Sequence, residues 1–150
     1  MGTFTAEVFD VFMSGIKDYR LDTLFNTSQS NFSSYLEGFL IEAIAEFTVC
    51  TQDLTFATGE FTETLTAENI IILAKIMRKK WLQKEIQDIK QMNLSLQDKD
   101  YKRYAESNNL MAKQKLFVTL DEEISTTRTR YSLNNTIDWS AWYSGNYYTP

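Results

Sequence analysis

Any catalytic chemistry in this chain must come from carboxylates, one thiol and a short run of cations, because none of its 150 residues is histidine. Histidine is the commonest general acid/base near neutral pH and the commonest transition-metal ligand, so Ser-His and Cys-His nucleophile pairs are excluded. The five glycines, Gly2, Gly15, Gly38, Gly59 and Gly145, lie too far apart to form a phosphate-cradling GxGxxG or P-loop. Asp98 with Asp100, and Asp121 with Glu122 and Glu123, are the local carboxylate groups able in principle to act as an acid/base pair or to hold magnesium. Neither has a ligand-like arrangement. The first pair reads more simply as helix-start residues, and the triplet as a solvated turn of helix. Cys50, the only cysteine, rules out an internal disulfide or a cysteine-based zinc cluster; with no basic neighbour to lower its pKa, it reads as a buried structural thiol. Arg78, Lys79 and Lys80 form a basic cluster, but in a chain of net charge −5 and pI near 4.8 they read as a hydrated or ion-paired helix face rather than a nucleic-acid surface. No catalytic residue, metal site or cofactor is expected.

Hydrophobic spacing supplies the elements. At 43% hydrophobic and 14% aromatic residues the chain is too apolar for disorder, and its length suits one domain with one core. It has no signal-peptide core and no span of about 20 apolar residues, so neither that route of secretion nor membrane insertion is expected. Val8, Phe9, Phe12, Met13 and Ile16 predict a short amphipathic helix from near Thr5. The polar run Asn26, Thr27, Ser28, Gln29 and Ser30 predicts a loop over 21–30. Phe32, Tyr35, Leu36, Phe39, Leu40, Ala43, Ile44 and Phe47 keep helical spacing throughout, so a helix is expected over 32–47, capped by Ser30 or Asn31. Its far face carries Glu37, Glu42 and Glu46. Gly38 inside it implies close approach of another backbone. The stretch 48–65 fits a short hairpin or a packed loop. Thr66 reads as the N-cap of a long central helix to about Lys90, with Leu65 and Ile70 as a hydrophobic staple. Its stripe is Ile70, Leu73, Ala74, Met77, Trp81, Ile86 and Ile89; Lys75, Arg78, Lys79, Lys84 and Glu85 should face water. A turn at 93–100, a short helical piece through Tyr104 and a last helix from Ser107 to Tyr131 complete the pattern. In the last helix Leu110, Phe117, Ile124 and Tyr131 repeat every seven residues, with Leu120 between them. The expected architecture is all-α, a bundle of four to five helices over 1–131 followed by an extended arm over 132–150.

Two features look outward. The arm holds Trp139, Trp142, Tyr143, Tyr147 and Tyr148 with Asp138 as its single charge. Each such ring can bury roughly 150–250 Å² on packing, so the group must be covered, by the chain's own bundle or by another subunit. The charge is also uneven: residues 1–68 hold two cations and eleven carboxylates, a net of −9, while residues 69–150 hold thirteen cations and nine carboxylates, a net of +4. Such a dipole favours oriented contacts with copies or partners.

Taken in order, the helix over 32–47, the threonine-rich link into LTAENIIILAKIMRKKWL, the segment DKDYKRYAESNNL and the final helix ending RYS resemble the head-tail connector proteins of tailed bacteriophages, also called adaptor, head-completion or neck proteins. The resemblance covers residues 30–132. It implies a non-enzymatic virion subunit at the neck, assembled in the host cytoplasm, in a ring usually of about twelve copies. Such a ring docks on the portal protein, extends the DNA channel and provides the attachment site for a stopper or tail-completion protein. DNA would pass without sequence-specific binding, and no membrane is involved. Within that resemblance the arm would grip the portal or a neighbouring copy, and Glu37, Glu42 and Glu46 would face the channel, where an acidic surface repels passing DNA. The alternative is a small helical protein-binding module, regulatory or chaperone-like, that docks through its aromatic tail.

Overall fold

The computed structural model describes residues 2–95 and 100–136, and the side chains of 2–92 and 107–135. These residues form a small all-α bundle of five helices with one two-stranded hairpin.

α1 (Thr5–Ser14) buries Val8, Phe9 and Phe12. At its start the Phe4 N–H donates to the Glu7 carboxylate at 3.3 Å, and the Glu7 N–H donates to the Phe4 carbonyl at 3.0 Å. α2 (Tyr19–Thr27) replaces most of the loop expected over 21–30. Asp18 caps it by accepting from the Arg20 N–H at 2.8 Å, Leu21 is buried, and Phe25 meets Phe32 edge-on with ring centroids 5.1 Å apart. The Thr23 and Thr27 hydroxyls donate to carbonyls one turn back, at 2.7 Å each, so these polar side chains join the helix instead of disrupting it. α3 (Gln29–Glu46) follows after Ser28 alone, which caps it by accepting from the Asn31 N–H at 3.4 Å. The cap therefore lies two residues before Ser30. Gly38 is exposed, and a Cβ placed there would meet nothing within 4 Å, so no backbone approaches it.

The threonine-rich link contains the hairpin of β1 (Phe56–Ala57) and β2 (Glu60–Phe61), antiparallel with Phe56 opposite Phe61 and Ala57 opposite Glu60. Its two turn residues, Thr58 and Gly59, have φ of 52° and 81°, the signs that a type I′ turn requires. Asp53 braces the hairpin from below. Hydrogen bonds from the Thr55 hydroxyl and N–H and from the Thr62 hydroxyl hold its carboxyl below the ordinary aspartate range. The N-terminal residues lie along the other side of β2: Phe61 N–H donates to the Thr3 carbonyl at 2.9 Å and Thr3 N–H to the Glu63 carbonyl at 3.2 Å. Gly2 is needed there, since a Cβ would sit 1.7 Å from the Phe61 carbonyl oxygen.

α4 (Ala67–Ser95) is the central helix. The Thr66 hydroxyl accepts from the Asn69 N–H at 3.3 Å, as an N-cap should. α1, α3 and α5 all pack on it, so its buried set is wider than one stripe: Ile72, Leu73, Ala74, Ile76, Met77, Leu82 and Ile86. Ile70 and Trp81 are half-buried against the core, and Ile89 is half-buried.

α5 (Asp100–Thr136) is one continuous helix, where a short piece and a separate last helix were expected. Nothing around Ser107 breaks it, there being no glycine or proline between 100 and 136. It also extends past Tyr131: residues 132–136 are helical, and the Asn135 amide donates to the Tyr131 carbonyl at 2.9 Å. Any extended arm therefore begins after Thr136. At 1.5 Å per residue, α4 and α5 span about 44 and 55 Å.

Candidate interaction surface

The basic cluster of α4 points inward, not to water. Lys79 is only 8% exposed and lies between α3 and α5. Its ammonium pairs with Glu46 of α3 and, at 2.9 Å, with Asp121 of α5. Lys80 pairs with Glu46 at 3.0 Å, Arg128 reaches it at 3.8 Å, and Lys75 pairs with Glu123. Burial pushes the Glu46 carboxyl up, but hydrogen bonds from Lys79 and Lys80 outweigh it, leaving its pKa below the ordinary value. For Lys79 burial pulls the pKa down, and the bonds to Glu46 and Asp121 outweigh that, so it ends raised. Arg78 donates through Nε to the Phe12 carbonyl at 3.1 Å and through its terminal nitrogen to the Val11 carbonyl, satisfying the open carbonyls at the end of α1. Glu85, also expected in water, is drawn between Arg20 and Lys113. Lys84 is exposed yet lies over the Tyr35 ring, 4.8 Å from its centroid.

The remaining reactive groups are similarly engaged. Asp121 and Glu123 serve Lys79 and Lys75, and among the described residues no group of three or more Cys, Asp or Glu could hold a metal ion. Asp100 opens α5; its side chain, and all of Asp98, lie outside the described residues. Cys50 is half-buried rather than buried, with its Sγ 4.0 Å from the Tyr131 hydroxyl. That hydroxyl also accepts from the Thr51 N–H at 3.2 Å and meets the Thr51 hydroxyl at 2.9 Å, tying the end of α5 to the link after α3.

The three glutamates of α3 do not share one face. Glu42 is exposed, beside a groove of about 430 Å³ that also includes Lys80, Lys84 and Asp88. Glu37, five residues earlier, is turned about 140° away around the helix, and Glu46 is neutralised by three cations. Trp139, Trp142, Tyr143, Tyr147 and Tyr148 lie outside the described residues.

What the structure adds is the outward face of α5. The heptad residues point at α4, where Ile124 and Tyr131 are buried and Leu110, Phe117 and Leu120 half-buried. Met111, Val118 and Leu133 point away from the core on one side and are 64%, 55% and 45% exposed, while Leu116, 57% exposed, lies on the other flank of the helix. Met111 and Val118 are themselves one heptad apart, a spacing hidden beside the stronger inner repeat. Leu133 divides two grooves of about 360 and 420 Å³. Ser125, Thr129 and Leu133 form the ridge common to both; Val49, Arg128 and Ser132 line one side, and Thr126, Arg130 and Asn134 the other.

Comparison with protein-family models, curated proteins and solved structures gave no match. Among the described residues, no helix is long and apolar enough to cross a membrane.

Proposed function

We propose that the chain is a structural subunit of a bacteriophage head-tail connector ring, placed at the neck of the virion. There it docks on the portal protein, extends the DNA channel and offers the attachment site for a stopper or tail-completion protein. The observation that carries this reading is apolar surface on α5 away from its inner stripe: Met111 and Val118, one heptad apart and so on one side of the helix, are both more than half exposed. Apolar side chains that the core does not use mark a surface for another protein.

Two further features suit a ring. Successive copies in a ring meet through unlike faces, and complementary charge helps to orient them. Part of the cation excess of the second half is spent within the subunit on Glu46 of the first half, which Lys79, Lys80 and Arg128 all reach. Glu7, Asp10, Glu42, Glu63 and Glu68 are exposed and have no ion pair among the described residues, so the outer surface of the first half stays acidic. In this reading the exposed Glu42 is the better channel-facing candidate, Glu37 being turned to another side of α3, and Glu46 holds the subunit together.

The test is co-purification of the full chain with the portal assembly of its own phage, followed by electron microscopy. A ring of additional density below the portal is expected. Met111→Asp combined with Val118→Asp should abolish it while leaving circular dichroism unchanged. Absence of any complex with the wild-type chain would sink the reading.

A further inference from the structure

We propose that the two grooves flanking Leu133 are the seat of this chain's own aromatic segment, residues 137–150. The proposal does not depend on the connector reading, because it concerns the single subunit.

The first argument is chemical. Leu133 is 45% exposed and Val49 half-buried, so apolar surface remains at the end of α5 that the core leaves uncovered. Arg128, which lines one groove, holds Glu46 and the Thr48 hydroxyl through its terminal nitrogens, yet its Nε is buried with no partner among the described residues. A guanidinium beside a groove of mixed apolar and hydroxyl lining suits the face of an aromatic ring. The hydroxyls of Ser125 and Thr129 offer acceptors for an indole N–H or a tyrosine O–H, which buried rings of those types require. Residues 137–150 contain two tryptophans and three tyrosines, the side chains with that combination of apolar body and polar tip.

The second argument is geometric. The chain leaves α5 at Thr136, three residues past Leu133. Fourteen residues can reach about 46 Å when extended, whereas Leu133 lies only about 12 Å along the helix from Ser125. Trp139 and Trp142 can stand up to about 10 Å apart in extended chain, close to the 10–12 Å width of a helix such as the one carrying the ridge between the grooves. Tethering also decides between occupants. A segment attached beside its groove acts at an effective concentration in the millimolar range, which a second copy in dilute solution does not match.

The experiment is limited chymotrypsin digestion of the full chain, followed by mass spectrometry of cleavage after Trp139, Trp142 and Tyr143. In Leu133→Asp, cleavage there should quicken about fivefold or more, as expected from losing the cover of a half-exposed leucine. Val118→Asp, at a position more exposed than Leu133 and outside both grooves, should cleave like the wild type. The wild-type rate constant should not change over a hundredfold dilution. Equal rates in Leu133→Asp and the wild type would show that the grooves are not the seat, and protection that fades on dilution would assign them to a second copy. Either result overturns the proposal. If Leu133→Asp loses cooperative thermal unfolding, Thr129→Arg, exposed and common to both grooves, replaces it.

Discussion

The two ends of α4 live in different surroundings. From Ile72 to Met77 the helix is enclosed by neighbours, Leu73, Ala74, Ile76 and Met77 are fully buried, and two residues further Lys79 is drawn inside with its counter-charges. From Leu82 onward the buried side chains, Leu82 and Ile86, stand apart from the main core cluster. The facing Leu110 and Phe117 of α5 are only half-buried, and Met92 is 55% exposed. The heptad along α5 is equally regular at both ends, so the difference is not in the repeat. At the far end α4 still meets Arg20 of α2 and Tyr35 of α3 at its side, but these leave the facing stripe of α5 only half-covered. The compact end therefore sets the stability of the subunit, and the far end supplies surface.

That contrast breaks most visibly on truncating one side chain from each end. Met77→Ala leaves a cavity in the enclosed region and should cost about 3 kcal/mol, within the usual range for a buried methionine. Phe117→Ala removes more atoms but only half-buried ones, and should cost about 1–1.5 kcal/mol. Urea denaturation of both variants measures this. Equal losses would show that the far end of the pair is as well covered as the core.

Next in size is the ionic node. Glu46→Gln keeps the shape but leaves Lys79 with Asp121 alone, and should cost about 2 kcal/mol, less than the full penalty of breaking a buried pair because one partner remains. Its pH dependence has a fixed sign. The Glu46 pKa lies below its ordinary value of 4.5, so its contribution is complete above that pH and is lost as pH falls through the lower, folded value. The Lys79 pKa lies above 10.5, so its contribution is complete below that pH and is lost as pH rises through the higher, folded value. Stability from this node should therefore be level between about pH 5 and pH 10. In Glu46→Gln the acid limb should flatten, and an unchanged limb would show that other carboxylates carry it.

The periodic helices were legible from residue types alone. The unbroken spacing from Phe32 to Phe47 marks α3, Thr66 marks the start of α4, and the heptad marks the inner face of α5. The failures share a physical cause, which is that the deciding partner is distant in the chain. Lys79 reads as one of three surface cations until Glu46 and Asp121, 33 and 42 residues away, are seen to meet it. α2 was hidden because its polar residues form bonds within the helix, although Leu21, Leu24 and Phe25 already had helical spacing behind the Asp18 cap. Gly38 suggested a close neighbour, and only the packing of the whole bundle shows open space beside it.

A smaller effect tests how the compact end is tied to the last turns of α5. Tyr131→Phe keeps the ring against Phe47, whose centroid is 5.3 Å away, and removes only the hydroxyl that serves Thr51. Because Thr51 is itself exposed, water can replace part of what is lost, and the cost should be about 1 kcal/mol. Amide exchange at Thr51 should rise more than exchange at Phe47, which keeps its helical partner. Uniform acceleration at both sites would mean that the hydroxyl supports the whole bundle and not the link alone.

The smallest change should have the opposite sign. Gly38 sits mid-helix on the exposed side of α3 with room for a methyl group, so Gly38→Ala should stabilise the isolated subunit by about 0.8–1 kcal/mol, through helix propensity and the reduced freedom of the unfolded chain. Thermal denaturation of the free subunit measures the gain. A loss instead would mean that the compact end has a close neighbour at this position even before assembly. If the stabilised variant also fails to enter portal complexes, the missing Cβ serves a partner there, and the surface available for contact would reach from the far end of the α4–α5 pair onto α3.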